Sequence, residues 1–536
     1  MFSVTNKDIR QMAKAGEAPL VLGIDVGTTG AKCTFYDLNG HPAASAYQEY
    51  GMIHPREGWV EEDPEAWWSA VAANIRACID RGIDPGRVAG IGVSCTNSFF
   101  PLDENGNPLH NAILQLDQRA SGEVDWLGEH IGRERIFRVT GNRIARGTFA
   151  LPTLRWFLGN RPDIIARTSK FVVPSGFIVH RLTGQFSINT SRMGFTLLSD
   201  IRTGTWDEAL AKDAGVPLHL LPPPRKASDI VGGVTEHAAR LTGLREGTPV
   251  VAGAMDTVSA AIGAGAIAPG DAFLAIGTCG RACFTSDTAV FDDRLMNCRH
   301  AVEGQWLSIE ATNASGASLR WFRDVFGGAL GERCRREGRS PFEVMDLLAA
   351  ESAPGANGVI YLPYLSGERC PIWDPDARGV FFGLGFPTSY GDMVRAVMEG
   401  VVYSIRQGVE IVRRHSRKSD YLSLGGGIGN SRVWCQMFAD ILGCPIVRLK
   451  INETETLGDA ILAAQGVGLI HDLGGMARSA AQDCEIMTPR KEHAGRYDEL
   501  YGLYEKLYVD LKDDFGLLQT IRERQSLERM QPLAPA

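Results

Sequence analysis

The sequence predicts a two-domain α/β protein built from a duplicated unit. Three observations carry this. The chain has 536 residues, enough for two or more domains with substantial cores. Strand-like apolar runs alternate with helical periodicities along most of its length. An apolar strand, a glycine turn and a second strand also occur twice. They read VLGIDVGTTGAKCTFYDLNG near residue 21 and DAFLAIGTCGRACFTS some 250 residues later. Recurrence of one supersecondary unit at nearly half the chain length points to duplication.

Taken in order, residues 1–17 have no apolar core of the signal-peptide kind and read as an extension before the first strand. VLGID, 21–25, is that strand; the turn VGTTG and the Asn39-Gly40 pair complete a β-hairpin pattern. EDPEAWWSAVAANIRACIDRG has helical spacing and an acidic start, and RVAGIGVSC is a buried-strand run. In the second half, YGDMVRAVMEGVVYSIRQGVEIVRR predicts a long amphipathic helix, followed by strand YLSLGGG and helix NSRVWCQMFADILG. ETLGDAILAAQGVG is a further helix. RYDELYGLYEKLYVDLKDDFG is a C-terminal helix whose aromatic-Leu stripe suits packing better than binding. The polar tail beyond about Glu523 is expected to fray. The domains expected are 18–260 and 261–490, with 491–536 as C-terminal helix and tail.

Composition excludes several functions. Hydrophobic residues make up 44% and charged residues 22%, ordinary for a globular chain. A net charge of -8 leaves no basic footprint for nucleic acid. The eleven cysteines form no CxxC pair. Cys279 and Cys283 come closest but lack partner ligands for zinc, so reduced thiols and a cytoplasmic protein are expected. The most membrane-like window, TPVVAGAMDTVSAAIGAGAIA, is rich in Gly and Ala, and its central Asp would add about 3 kcal/mol to insertion. No membrane partner is expected.

That Asp, Asp256, has no basic residue nearby in sequence. An unpaired buried carboxylate costs several kcal/mol or shifts its pKa upward. It is therefore either a helix cap ahead of TVSAAIGAGA or a catalytic group in a cleft. Glycine turns supply convergent N–H groups for anions, and threonine hydroxyls add donors. Gly27, Thr28 and Thr29 form one such turn, with Asp25 just before it as a carboxylate able to hold Mg²⁺. Gly277, Thr278 and Gly280 would form a second. The alternative for each is an ordinary hairpin turn. A third cluster, Gly425, Gly426 and Gly427, joins a strand to a helix and suits a nucleotide or simply a tight loop. Neither GxGxxG nor a P-loop occurs at these turns.

At this point the chain resembles the FGGY carbohydrate kinases. The most specific match is GVFFGLGFPTSYGDMVRAVME, residues 379–399, which is similar to the family's second signature. YLPYLSGERCPIWDPDARG just upstream is similar to the corresponding xylulokinase segment, and LPTLRWFLGNRPD matches the first signature with Arg155 where Lys is common. The resemblance spans about residues 20–510. It implies a duplicated actin/hexokinase-like (ribonuclease H-like) two-domain fold with an interdomain active-site cleft. It also implies ATP and Mg²⁺ as cofactors and phosphoryl transfer to a small ketose or polyol. Asp256, in GAMD, takes the general-base position. Asp25 to Gly30 and Gly277 to Gly280 resemble the two phosphate loops, and Gly425 to Gly427 with Asn430 the adenosine turn. Thr96, Asn97, Asp117, Arg119, Asp256 and Thr257 fall on the substrate side, the Asp117–Arg119 alternative being a surface ion pair. Trp59 lies near the sugar by analogy or packs a core. Dimers among relatives admit a homodimer.

Some residues depart from the family pattern. Cys95-Thr96-Asn97 stands where xylulokinases carry Gln-Met-His, Gly176 where many relatives have Asp, and NTSR lacks the usual acidic residue. Sites that hydrogen-bond hydroxyls discriminate steeply. These replacements bear on which acceptor is taken: the resemblance favours a xylulose-like pentulose, and the departures leave a sugar acid, a sugar alcohol or an autoinducer-2-type linear dione as alternatives. Readings from other classes are a catalytically silent sugar or nucleotide sensor and a simple ATPase.

Overall fold

The computed structural model describes residues 18–417, 419–450, 453–481 and 484–530. The extension expected at 1–17 and the last six residues lie outside that range. By contact the chain forms two compact units. The first comprises Met1–Pro269, Thr285–Ser308 and Glu453–Gln482, and the second Gly270–Phe284, Ile309–Asn452 and Asp483–Ala536. These units do not follow a continuous division at residue 260. Residues 453–482 return to the first unit because the helix Thr454–Gly466 packs on its central strands.

Six strands build the first unit's main sheet: β1 (Leu20–Val26), β2 (Gly30–Tyr36), β3 (Pro42–Glu49), β4 (Val88–Cys95), β5 (Ile230–Gly233) and β6 (Pro249–Val251). Their order is β5-β6-β4-β1-β2-β3. β1, β2 and β3 form an antiparallel meander, whereas β4 runs parallel to both β1 and β6. Every residue of β4 is buried, as a continuous apolar run in a covered parallel sheet should be. The helix Pro64–Asp80 begins with Asp63 accepting the N–H of Glu65 and with a proline in its first turn, both strong start signals. It buries Trp67, Trp68, Val71 and Ile75, packing toward β2 and β3.

Beneath β1 and β4 lie the helices Thr454–Gly466 and Asp256–Gly263. Four glycines set how closely they approach. A Cβ on Gly23 would stand 1.9 Å from the Thr456 carbonyl oxygen, and one on Gly92 2.1 Å from that of Asp459. Between the two helices, a Cβ on Gly458 would meet the Ser259 carbonyl at 1.9 Å, and one on Gly263 that of Thr454 at 2.1 Å. This contact fixes the helix that carries Asp256.

The second unit repeats the scheme with β7 (Ala272–Ile276), β8 (Gly280–Ser286), β9 (Trp306–Thr312), β10 (Leu422–Gly425), β11 (Ile446–Arg448) and β12 (Glu485–Met487), ordered β9-β8-β7-β10-β11-β12. β7 and β8 form an antiparallel hairpin, and β7, β10 and β11 are parallel. An antiparallel hairpin beside parallel strands is the arrangement of β2, β1 and β4. The duplication anticipated from two glycine turns is thus present in the topology.

The helix Tyr390–Arg413 opens with a capping box between Ser389 and Asp392. The C-terminal helix Ala494–Met530 buries Tyr497, Tyr501, Tyr504, Leu507 and Phe515, so its aromatic stripe is packing. It does not end near Glu523. The stretch QTIRERQSLERM is free of Gly and Pro, and the first proline stands at 532.

Candidate active site

In the first unit the candidate residues gather at the carboxyl ends of parallel strands, where open α/β sheets bind ligands. Asp25 and Val26 end β1 in register with Ser94 and Cys95 of β4. The Ser94 hydroxyl donates to Asp25 Oδ1 at 2.9 Å. Beyond β1 the turn closes with the Gly27 N–H on the Gly30 carbonyl (3.0 Å), leaving Thr29 exposed. The Thr96 N–H donates to the Val26 carbonyl (2.8 Å), and its Oγ1 lies 2.9 Å from that of Thr28. The first phosphate-loop candidates and Thr96 are thereby one hydrogen-bonded group. Asn97 is turned inward, its Nδ2 donating to the carbonyls of Thr148 and Gly147.

Asp256 is the first residue of the helix Asp256–Gly263, following β6. Met255 holds the cap position, with no side-chain cap bond, so the alternative of Asp256 as N-cap does not stand. Its Oδ1 instead accepts the N–H (2.8 Å) and the hydroxyl (3.2 Å) of Thr257. A carboxylate in a first helical turn is favoured by the helix dipole. The sequence window also hid a cation: Arg192, 64 residues earlier, lies with Nη2 3.5 Å from Asp256 Oδ1. The Arg192 side chain is 2% exposed and that of Asp256 19%. Sequence reasoning passed Arg192 over, because in NTSR it attended to a missing acid rather than to the base present.

Asp117 and Arg119 do not form a surface ion pair. Their side chains are 2% and 1% exposed. Arg119 reaches both Asp117 oxygens, and its Nη2 also lies 2.7 Å from Glu61 Oε1. Its guanidinium sits 3.7 Å from the Trp59 ring centroid, and Trp59 meets Trp156 edge-on at 5.6 Å. Arg119 Nη1 is buried without a hydrogen-bond partner. Glu61 was the member of this cluster missing from the sequence reading; only the pairing of its short strand with Ala112–Leu114 brings it there. Gly176, where relatives carry Asp, faces the Ser187 carbonyl so closely that a Cβ would stand 2.9 Å from it. A side chain does not fit there in this packing.

In the second unit the turn after β7 repeats the first loop: the Gly277 N–H donates to the Cys279 carbonyl at 3.0 Å. The start of the helix Gly316–Phe326 is tied to it, with the N–H groups of Gly316 and Ala317 donating to the carbonyls of Gly277 and Thr278. Arg320 Nη2 lies 3.4 Å from Thr278 Oγ1. A Cβ on Gly280 would collide with Ser315 Oγ at 2.4 Å, so this position requires glycine. Parallel to β7, β10 ends at Gly425 opposite Ala275. Gly426 follows at φ +87°, against the Ile276 carbonyl, and Gly427 is exposed with open space where a Cβ would stand. Asn430 closes the short 3-10 turn Gly427–Asn430 and is exposed. Thr278, Gly426, Gly427 and Asn430 are therefore reachable at neighbouring strand ends.

Among the described residues no group of three or more His, Cys, Asp or Glu side chains is arranged as a metal site. No described helix is long and apolar enough to cross a membrane.

Two α/β units of one topology, each presenting a glycine turn at a parallel strand end, describe a class of protein that comparison with known sequences specifies. Residues 20–263 match the N-terminal domain, and residues 272–467 the C-terminal domain, of the FGGY family of carbohydrate kinases. A xylulose kinase of Staphylococcus epidermidis is 32% identical over 510 residues, 94% of this chain and 99% of its own length. Crystal structures of a ligand-bound xylulose kinase and of a gluconate kinase from Lactobacillus acidophilus are similar, with TM-scores of 0.86 and 0.87. Each is 27% identical and covers 93% and 94% of this chain, respectively, and 100% of its own. The chain belongs to the FGGY family of carbohydrate kinases. It is accordingly an enzyme, a phosphotransferase with an alcohol acceptor, and has the duplicated actin/hexokinase-like fold.

Proposed function

We propose that the enzyme transfers the γ-phosphoryl group of ATP to a hydroxyl of a small ketose or polyol, a xylulose-like pentulose being favoured, with Asp256 as general base. The observation that carries this reading is the group at the strand ends of the first unit. Asp25 lies at the end of β1, and the Gly27–Thr29 turn, Thr96, Asn97 and Asp256 follow parallel strands there, with the Asp256 carboxylate partly open to solvent. A sugar hydroxyl is a poor nucleophile at neutral pH, and Asp256 removes its proton as attack proceeds. Thr257, Thr96 and Asn97 orient the acceptor. Asp117 and Arg119 act from their buried cluster on the same substrate side.

ATP is assigned to the turns Gly27–Thr29 and Gly277–Gly280 for its phosphates and to Gly425–Gly427 with Asn430 for its adenosine. The donor chemistry suits them: backbone N–H groups, threonine hydroxyls and a glycine with open space beside it. Asp25 would hold Mg²⁺. A carboxylate at the strand end beside a phosphate-loop turn suits a hard cation that keeps waters and binds phosphate oxygens. When bound, Mg²⁺ neutralises charge that spreads over the phosphoryl oxygens during transfer.

A sugar acid is the second reading. The buried Arg192 cation beside Asp256 and the likeness to a gluconate kinase favour it. One experiment tests both: ADP release with Mg-ATP across pentuloses, pentitols, tetritols, sugar acids and a linear hydroxylated dione, for wild type and Asp256→Asn. Acceptor-dependent turnover that falls by roughly 10²- to 10⁴-fold in the variant supports the assignment. Equal turnover in both proteins refutes Asp256 as base.

A further inference from the structure

Arg192 is a guanidinium that stays charged at any working pH, set where solvent hardly reaches it. It lies in the one-turn helix Thr190–Met193. Asn189 Oδ1 accepts both the Arg192 N–H and the Ser191 hydroxyl at 2.8 Å. Ser191 Oγ in turn accepts the Met255 N–H at 2.9 Å. The turn bearing Arg192 is therefore hydrogen-bonded to the residue before Asp256, and the spacing of the two side chains is set by backbone as well as by charge.

The guanidinium serves three acceptors. Nη2 donates to the Cys95 carbonyl at the end of β4 and faces Asp256 Oδ1 at 3.5 Å, and Nη1 lies 3.5 Å from Asn97 Oδ1. Nε is buried with no hydrogen-bond partner. Asp256 is the counter-charge among the described residues, and a buried cation needs one. A planar fork of donors holds its acceptors in a fixed mutual geometry, which a lysine or glutamine cannot reproduce.

We propose that Arg192 is a positioning residue. Its guanidinium holds the Asp256 carboxylate against the strand end that carries Thr96 and Asn97, so that base and acceptor-orienting groups keep one geometry. The proposal rests on Asp256 being the general base, and Arg192 acts through it without touching the reacting atoms.

The test is a double-mutant cycle of Arg192→Gln and Asp256→Asn, with Arg192→Lys alongside, read by phosphoryl transfer from radiolabelled ATP to the best acceptor. Displacing a catalytic group by about 1 Å costs on the order of 100-fold. Arg192→Gln is expected to lower kcat by about that factor while KM for ATP changes less than about twofold, because the guanidinium's acceptors, Cys95, Asn97 and Asp256, are not in the turns assigned to ATP. Arg192→Lys recovers part of the loss. In the Asp256→Asn background Arg192→Gln costs almost nothing further, since groups acting as one unit are non-additive. A full second loss in that background overturns the proposal, as does a folded Arg192→Gln enzyme with wild-type kcat. If the Gln variant does not fold, Arg192→Lys carries the same cycle. Thermal unfolding of the four proteins separates this from failure of the kinase reading. Arg192→Gln lowering the Tm of wild type but not of Asp256→Asn upholds the pairing even if no acceptor is turned over. Equal losses in both refute it.

Discussion

At the scale of single residues, charge is satisfied by partners that are distant in sequence, and the cost of removing them separates structural from surface roles. Arg119 shows this. It faces Asp117 and Glu61, both nearly inaccessible, and stacks on Trp59. Arg119→Met would leave two buried carboxylates without their cation. That should lower the free energy of unfolding by about 3–5 kcal/mol, against under about 1 kcal/mol for a surface pair. Urea denaturation decides between them, and a loss under 1 kcal/mol would mean the cluster is solvated. Residues adjoining a local motif, such as Asp25 and the Gly27–Thr29 turn, were legible in sequence because turn chemistry is local. Asp256 was legible as an anomaly, a carboxylate among small apolar residues, but its resolution was not. Arg192 and Glu61 reach their charged partners only through tertiary structure, 64 and 58 residues away, and no window or period reveals that.

At the scale of elements, the helices that matter for the site are defined by what they lack. ETLGDAILAAQGVG reads as an Ala- and Gly-rich helix, and propensity alone counts its mid-helix glycine, Gly458, as a defect worth about 1 kcal/mol. The structure reverses the sign. Gly458 faces the Ser259 carbonyl so closely that a methyl group would stand 1.9 Å from backbone oxygen. Overpacking of this kind costs about 1–3 kcal/mol and moves backbone, which exceeds the propensity gain. Gly458→Ala should therefore destabilise the protein by about 1–2 kcal/mol net. It should also lower kcat, because the helix displaced is the one beginning at Asp256. Chemical denaturation and steady-state kinetics check it; an alanine variant more stable than wild type would show that the helices separate freely. The same logic explains the most family-specific segment. Asp392 accepts from Ser352, Asn357 and Ser389, and Glu399 pairs with Arg395 and accepts from Tyr497, so these signature residues hold the helix Tyr390–Arg413 rather than a ligand. A signature identifies a family through residues that build its scaffold, which is why the fold was legible from it while the acceptor was not.

At the scale of the whole molecule, duplication was readable because a hairpin's turn residues must recur wherever its geometry does. The discontinuity of the units was not, because a helix that crosses to the other unit's sheet carries the same apolar pattern as one that does not. Each half also contains buried carboxyls that periodicity treats as errors. In the second unit Glu368 accepts the N–H groups of Asn313 and Arg369, while burial pushes its carboxyl up to about 7. Glu310, wholly buried and accepting from the Gly408 N–H, is pushed well above the usual carboxylate range for the same reason. The folded chain therefore retains protons that the unfolded chain releases near pH 4.5. Below that value both states are protonated and these groups leave stability unchanged. As pH rises from there toward 7 the unfolded state ionises first, so stability falls across that window. Glu368→Gln keeps an amide oxygen for the two N–H groups and cannot ionise. It should leave stability at pH 4 nearly unchanged and raise it at pH 8 by on the order of 3 kcal/mol, each pKa unit being worth about 1.4 kcal/mol. Urea unfolding at the two pH values measures the difference. A variant as pH-dependent as wild type would assign the dependence to Glu310 and the other buried acids, whereas a variant destabilised at both values would show that the Glu368 charge is compensated within the fold.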